Sequence, residues 1–285
     1  MFKLKILVCF IILILFGSCS KEVSKETLIK EKSLELQVEE AYKEGMEALN
    51  DGDVIFAAKK FNEAEILFPQ SVWAPKAALM AAYSYYSQDY YGNAIAELER
   101  FIRIYPTNKN IDYAYYLLGL SYYEQIVDEK KDLRSILEAK NTFNIVINKF
   151  PNTQYAIDSE FKIELINDII ASKEMYIGRY YQSKKKWIAA INRFRTVVDD
   201  YNTTIYSEEA LHRLVEIHYT IGLKEEARKY AKLLGYNYQS SVWYERSYSV
   251  FNKEYKKIQR KNDQKKSKKE NKFLKKFKSL IDIDE

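Results

Sequence analysis

The chain is poor in the residues that make turns. Of 285 residues only 8 are Gly and 4 are Pro, where ~7% and ~5% of residues are usual. An all-β sandwich or barrel needs a turn signal roughly every 8–12 residues, so this composition argues against one, and against long flexible loops. Cysteine is scarcer still. Cys9 and Cys19 are the only two, and their place at the N-terminus excludes a disulfide framework or a thiolate metal cluster. Histidine occurs only at His212 and His218. Being six apart, the two do not share a helix face as i, i+4 ligands would. No G-x-x-x-x-G-K-[ST], H-E-x-x-H, G-x-S-x-G or C-x-x-C motif is present. The acidic pairs Glu39-Glu40, Asp199-Asp200 and Glu208-Glu209 are adjacent, which points them in different directions on a helix, and they read as solvated faces rather than a glycosidase dyad. No catalytic residue, metal ligand or cofactor is expected, and the chain does not read as an enzyme.

What is present is apolar and aromatic: 47% hydrophobic and 15% aromatic side chains, with Tyr at 25. That is ample core material for one large domain or two ordinary ones. With so few turn-formers, the expected fold class is all-α.

The first twenty residues speak to the compartment. Lys3 and Lys5 precede an apolar run from Ile6 to Phe16, followed by Gly17-Ser18-Cys19. A basic start, a short apolar stretch and small residues before a cut make a secretory signal over residues 1–18. The run is too short to span a bilayer, which takes about 20 residues, and Ser20-Lys21-Glu22 ends it. Leu15-Phe16-Gly17-Ser18-Cys19 resembles a bacterial lipobox, with Phe16 replacing the usual Leu. The resemblance implies a triacylated, palmitate-bearing Cys19 as the first mature residue, and Ser20 resembles a sorting signal for the outer membrane. Stable anchoring takes more than one acyl chain, each buried CH₂ adding roughly 0.8 kcal/mol. Residues 19–35 read as a polar tether.

Internal repeats organise the rest. Gly45, Ala57, Phe61, Ala64 and Pro69 fall at the spacing G-x11-A-x3-F-x2-A-x4-P, the tetratricopeptide (TPR) pattern of paired helices. A small residue lets helix A approach helix B, an aromatic fills the space beside the crossing, and Pro ends helix B. The register recurs at Ala82, Tyr85, Ala94, Leu98, Phe101 and Pro106. It returns at Gly119, Tyr122, Ala139, Phe143, Val146 and Pro151, and again at Gly178, Tyr181, Ala190, Phe194 and Val197, with Asn202 where Pro would stand. The faintest copy has Val215, His218, Ala227, Ala231 and Leu234. About five repeats follow, near 38–69, 71–106, 111–151, 155–202 and 206–236, forming a right-handed superhelix with a concave face. His218 occupies a Tyr position and is expected in the core; His212 is expected at the surface. A charged insertion between Gln125 and Arg134 reads as a solvated loop. Tyr155 to Gln182 reads as one helix of roughly 40 Å at ~1.5 Å per residue. Ser71 and Thr153, in the shared phrase P-x-[ST]-x-[WY]-A, are expected to cap helix starts. A capping helix is expected over 241–258.

Groove-facing helix-A positions in this register are Tyr42, Met46, Leu79, Tyr83, Tyr86, Tyr113, Tyr116, Leu120 and Tyr123. Tyr offers large contact area, few rotors and a hydroxyl, which suits an extended peptide; the plainer alternative is that half of these side chains pack between repeats. The C-terminal segment differs from everything before it. From Lys253 to Leu280, 13 Lys and Arg face three acids, a net of +10. Such a run is ordinarily solvated, yet Phe273, Leu274, Phe277, Leu280 and Ile281 form an apolar strip at helical spacing. This fits contact with an anionic membrane or an acidic partner. Nucleic acid is not an expected partner of an exported chain.

Longer stretches resemble one family closely. Arg100-Phe101-Ile102-Arg103-Ile104-Tyr105-Pro106-Thr107, followed by Asn110 to Leu120, is similar to the BamD family, the TPR lipoproteins of the outer-membrane β-barrel assembly (BAM) machine. Ala82-Tyr83-Ser84-Tyr85-Tyr86, Phe150 to Tyr155 and Trp187 to Arg193 match it in the same order, so the resemblance covers roughly residues 19–235. The lysine-rich segment 259–285 and Asn202 depart from it. The resemblance implies a scaffold and receptor at the periplasmic face of the outer membrane. Its C-terminal repeats would dock on the POTRA domains of BamA. Its N-terminal repeats would meet other BAM lipoproteins and unfolded outer-membrane protein segments. It also implies a charged contact from Arg193 to BamA, for which a guanidinium fork is suited. The competing expectations are another TPR lipoprotein, such as a secretin pilot or a cell-division or peptidoglycan scaffold, and a superhelical lytic enzyme, for which no segment is long enough to build a catalytic domain.

Overall fold

The structure is a computed structural model that describes residues 32–125 and 134–252. The signal sequence 1–18, Cys19 and most of its tether, residues 126–133 of the charged insertion, the 253–258 end of the expected capping helix and the segment 259–285 lie outside the described residues. Eleven α-helices and, among the described residues, no strand make an all-α TPR superhelix. They are α1 (Leu34–Asn50), α2 (Val54–Leu67), α3 (Ala74–Tyr86), α4 (Tyr91–Ile104), α5 (Ile111–Glu124), α6 (Arg134–Lys149), α7 (Gln154–Ser183), α8 (Trp187–Asp200), α9 (Ser207–Thr220), α10 (Lys224–Asn237) and α11 (Val242–Phe251).

Each A–B pair closes on a complementary pair of side-chain sizes. A Cβ added to Gly45, Gly119 or Gly178 would stand 2.9, 2.7 or 2.6 Å from the ring of Phe61, Phe143 or Phe194. Those distances are inside van der Waals contact, so the ring occupies the space that glycine leaves open. The second repeat has Ala82 with Leu98 at the same two places, and the fifth has Val215 with Ala231. As the helix-A residue grows, the helix-B residue shrinks. Volume at the crossing is held, as a close-packed interior requires.

The turns between A and B helices are equally regular. Gly52, Asp89, Lys185 and Gly222, each seven residues past the crossing residue, have φ of 82°, 63°, 56° and 91°. The next N–H in each case donates back across the turn, to Ala48, Tyr85, Tyr181 and His218 at 2.8–3.0 Å. This left-handed closure satisfies the last carbonyls of helix A. Two repeats use glycine for it and two accept the cost of a Cβ there. Between repeats the break is different: Pro69, Pro106 and Pro151 each stand two residues past the last residue of α2, α4 and α6. Ser71, Thr153 and Ser241 accept the backbone N–H of Ala74, Ala156 and Tyr244 at 3.1–3.2 Å, satisfying orphan first-turn donors.

Helix α7 is 30 residues long. Around its middle it buries Ile166 and Ile170 with Ile136, Ala139 and Phe143 of α6. Its second half buries Ala171 and Met175 with Phe194 and Val197 of α8 and Leu214 of α9. One helix therefore belongs to two consecutive cores. Among the described residues no helix is long and apolar enough to cross a membrane.

Candidate functional site

The expected groove positions divide into two kinds. Three residues before each crossing residue stand Tyr42, Leu79, Tyr116, Met175 and His212. These make the joints between repeats. Tyr42 lies edge-on to Phe61 at 5.2 Å and packs on Trp73 at 5.0 Å. Tyr116 stacks on Tyr155 at 5.1 Å, and the His212 ring lies 5.3 Å from Trp243. Leu79 shares a core with Tyr113, and Met175 with Tyr206. Each lies in contact with, or in the same core as, an aromatic at the start of the next A helix. Leu79 is buried, which corrects its placement on the groove surface. His212, expected at the surface, is 3% exposed; its Nδ1 lies 2.9 Å from the Ser247 hydroxyl of α11. His218 is buried as its register implies, with Nδ1 donating to the Leu214 carbonyl at 2.7 Å.

The second kind keeps an open face. Met46, Tyr86, Leu120 and Tyr123 are half-buried and Tyr83 is exposed. Tyr113 and Tyr116 of α5 pack on Tyr155 at the start of α7, and Tyr83 and Tyr86 of α3 lie near Tyr113. Burial, followed by the neighbouring Tyr83, Tyr155 and Tyr86 hydroxyls, pushes Tyr113 up to about 12. Burial and then its 2.7 Å bond to Asp158 push Tyr116 up as well. Both hydroxyls are neutral hydrogen-bonding groups at any physiological pH. Lys162 leans over the Tyr123 ring at 4.9 Å, completing a rim of α7 residues beside the cluster.

The same positions carry charge in the C-terminal half. Where repeats one to three have Met46, Tyr83 and Leu120, repeats four and five have Arg179 and Glu216. Arg179 bonds Glu209 at 3.1 Å, Arg213 holds Glu209 and Glu216 at 3.1 and 2.9 Å, and Glu216 reaches His212 at 3.5 Å. The pair Glu208-Glu209 is thus not a plain solvated face, since Glu209 joins two helices. Burial would raise Glu216, but the His212 imidazole and the Arg213 guanidinium outweigh it and hold the carboxyl down at about 2. Arg213 and Arg246 also stand over the Trp243 ring, at 5.6 and 4.6 Å.

Arg193 projects from α8, 43% exposed. Its Nη1 donates to both oxygens of the buried Glu174 carboxylate of α7 at 3.1 and 3.0 Å. The side chain borders a shallow depression of about 270 Å³ with Tyr181, Ala189, Asn192 and Thr196. Glu174 thereby holds the guanidinium through one nitrogen while the side chain as a whole stays partly exposed. Among the described residues no group of three His, Cys, Asp or Glu could hold a metal ion.

A stack of helix pairs with tyrosines clustered toward one end and ion-paired side chains toward the other is a TPR superhelix. The chain belongs to the family described as "YfiO: Outer membrane lipoprotein", which matches residues 34–233. It is 44% identical to the "Outer membrane protein assembly factor BamD" of Rickettsia prowazekii, over 84% of this chain and 92% of that one. The protein of the same name from Caulobacter vibrioides is 39% identical, over 83% of this chain and 76% of that one. Among solved structures, the TPR2AB domain of yeast Sti1 covers 76% of this chain and 83% of its own, at 13% identity and a TM-score of 0.40.

Proposed function

We propose that this protein is an outer-membrane protein assembly factor that acts as a lipid-anchored scaffold and receptor on the periplasmic face. Cys19 carries the lipid. The C-terminal repeats dock on the POTRA domains of BamA, and the N-terminal groove receives extended segments of unfolded outer-membrane proteins or of companion BAM lipoproteins. The observation that carries the reading is the change in groove chemistry along one uninterrupted stack. Phenols at Tyr83, Tyr86, Tyr113 and Tyr116 suit a partner whose sequence varies, because they offer contact area and hydroxyls without demanding a charge. The ion-paired face from Arg179 to Glu216 suits one fixed partner of complementary charge. Arg193 contributes there because Glu174 pre-orients its fork, which cuts the ordering cost of binding a carboxylate.

Detergent copurification of the tagged full-length chain, with mass identification of what comes along, tests the reading. BamA and unfolded outer-membrane protein segments are the expected companions. Recovery of a secretin or a peptidoglycan synthase in place of BamA would sink it. Tyr83→Ala with Tyr86→Ala should lower substrate recovery while BamA recovery holds; Arg193→Ala should do the reverse. Replacing Cys19 by Ala should release the protein from membranes.

A further inference from the structure

Helix α7 presents one face that no described element covers. Ile157, Phe161 and Leu165, one turn apart, are 59, 61 and 48% exposed. Three large apolar side chains in line on one helix make a patch rather than scattered surface residues. Its border is acidic: Asp158, Glu160, Glu164 and Asp168 flank it, while Lys162 turns away over Tyr123. A ligand for this face must therefore be apolar along one stripe and basic on both sides.

The chain itself carries such a segment. Between Lys253 and Leu280 the sequence is +10, and Phe273, Phe277 and Leu280 recur at helical spacing among those lysines. Reach permits the contact. Arg179 of α7 stands beside Glu209 of α9, and His212 of α9 beside Ser247 of α11, so Asn252 lies level with the C-terminal end of α7. From there Phe161 is about 33 Å back along the helix at ~1.5 Å per residue, and roughly 20 Å across two helix spacings. The twenty residues from 253 to 272 span up to about 65 Å when extended.

We propose that the lysine-rich C-terminal segment of the same chain docks on the Ile157–Phe161–Leu165 face of α7 through Phe273, Phe277 and Leu280. This face adjoins the rim where Asp158 bonds Tyr116, so the docked segment lies along the edge of the aromatic groove. The full-length protein with a photo-crosslinking benzoylphenylalanine at Phe161 tests this. Expected are adducts within one chain to peptides containing Phe273 or Phe277. They should fall at least tenfold in Phe273→Ser/Phe277→Ser and weaken in about 0.5 M salt, where the Debye length is only a few ångströms. The same probe at Ile188 of α8, which is more exposed than Phe161, should give none. No adduct to the segment, adducts to lipid, adducts between isotopically heavy and light copies, or equal adducts from Ile188 would each overturn the proposal.

Discussion

The two halves of the stack use charge in opposite places. In the N-terminal half the most buried ion pair ties B helix to B helix. Arg100 of α4 grips the buried Glu65 of α2 with two nitrogens at 2.9 and 2.7 Å, and the same guanidinium reaches Glu97 and Asn62. The Tyr105 hydroxyl donates to Glu65 at 2.8 Å; burial and then this bond push it up to about 12. The inner face is left to tyrosine. In the C-terminal half charge moves to the A helices, where Arg179, Glu209, Arg213 and Glu216 make a ladder, and that face becomes polar. One fold thus presents two unlike surfaces by relocating its ion pairs, while the crossings beneath stay the same.

The largest effect should come from breaking the N-terminal pair. Arg100→Ala strands Glu65 in a buried site and should cost about 3 kcal/mol in chemical denaturation. Arg213→Ala in the C-terminal half should cost nearer 1 kcal/mol, because its partners are more exposed and keep Arg179 and His212. A similar cost for both would erase the contrast. Next in size, Gly178→Ala drives a methyl into Phe194 and should destabilise by about 1–3 kcal/mol. Adding Phe194→Leu recreates the Ala82–Leu98 combination of the second repeat, so the double variant should melt higher than Gly178→Ala alone. Smaller again, Tyr83→Ala should weaken capture of an unfolded outer-membrane protein segment by on the order of 1 kcal/mol, with an unchanged melting temperature. Glu216→Gln at the other end should leave that capture as it was.

A pH dependence follows from Glu216 in the C-terminal half. Glu216 is lowered from its ordinary 4.5 to about 2 in the folded protein. Its stabilisation is therefore complete above about pH 4.5 and fades as pH falls toward about 2. Stability measured down that range should drop less steeply in Glu216→Gln than in the unaltered protein.

Much of the fold was legible because the crossings repeat in phase. Gly45, Gly119 and Gly178 announce helix A, Phe61, Phe143 and Phe194 announce helix B, and the long helix read as Tyr155 to Gln182 is Gln154–Ser183. These are properties of one helix pair, which a linear pattern records. The joints between pairs are not. Leu79 and His212 read as surface positions from their own helix pair alone, because Tyr113 and Trp243, which help bury them, come from the next helix pair and the final helix. A signal did exist: His212 stands in register with Tyr42 and Tyr116, whose partners Trp73 and Tyr155 the P-x-[ST]-x-[WY]-A phrase marks, and Ser241-Val242-Trp243 repeats the middle of that phrase. Glu209 escaped for a related reason, since its partner Arg179 lies on another helix 30 residues earlier.

The 30 residues of α7 also act as a gauge. At ~1.5 Å per residue the helix is about 45 Å long, and it is built into the cores on both sides of it. Swinging one half of the molecule against the other would mean snapping a continuous helix inside packed side chains. The phenolic cluster and the Arg193 depression are consequently joined through one doubly packed helix, and on the proposed function a segment seated at the first would be offered to a partner at the second with a fixed offset and orientation.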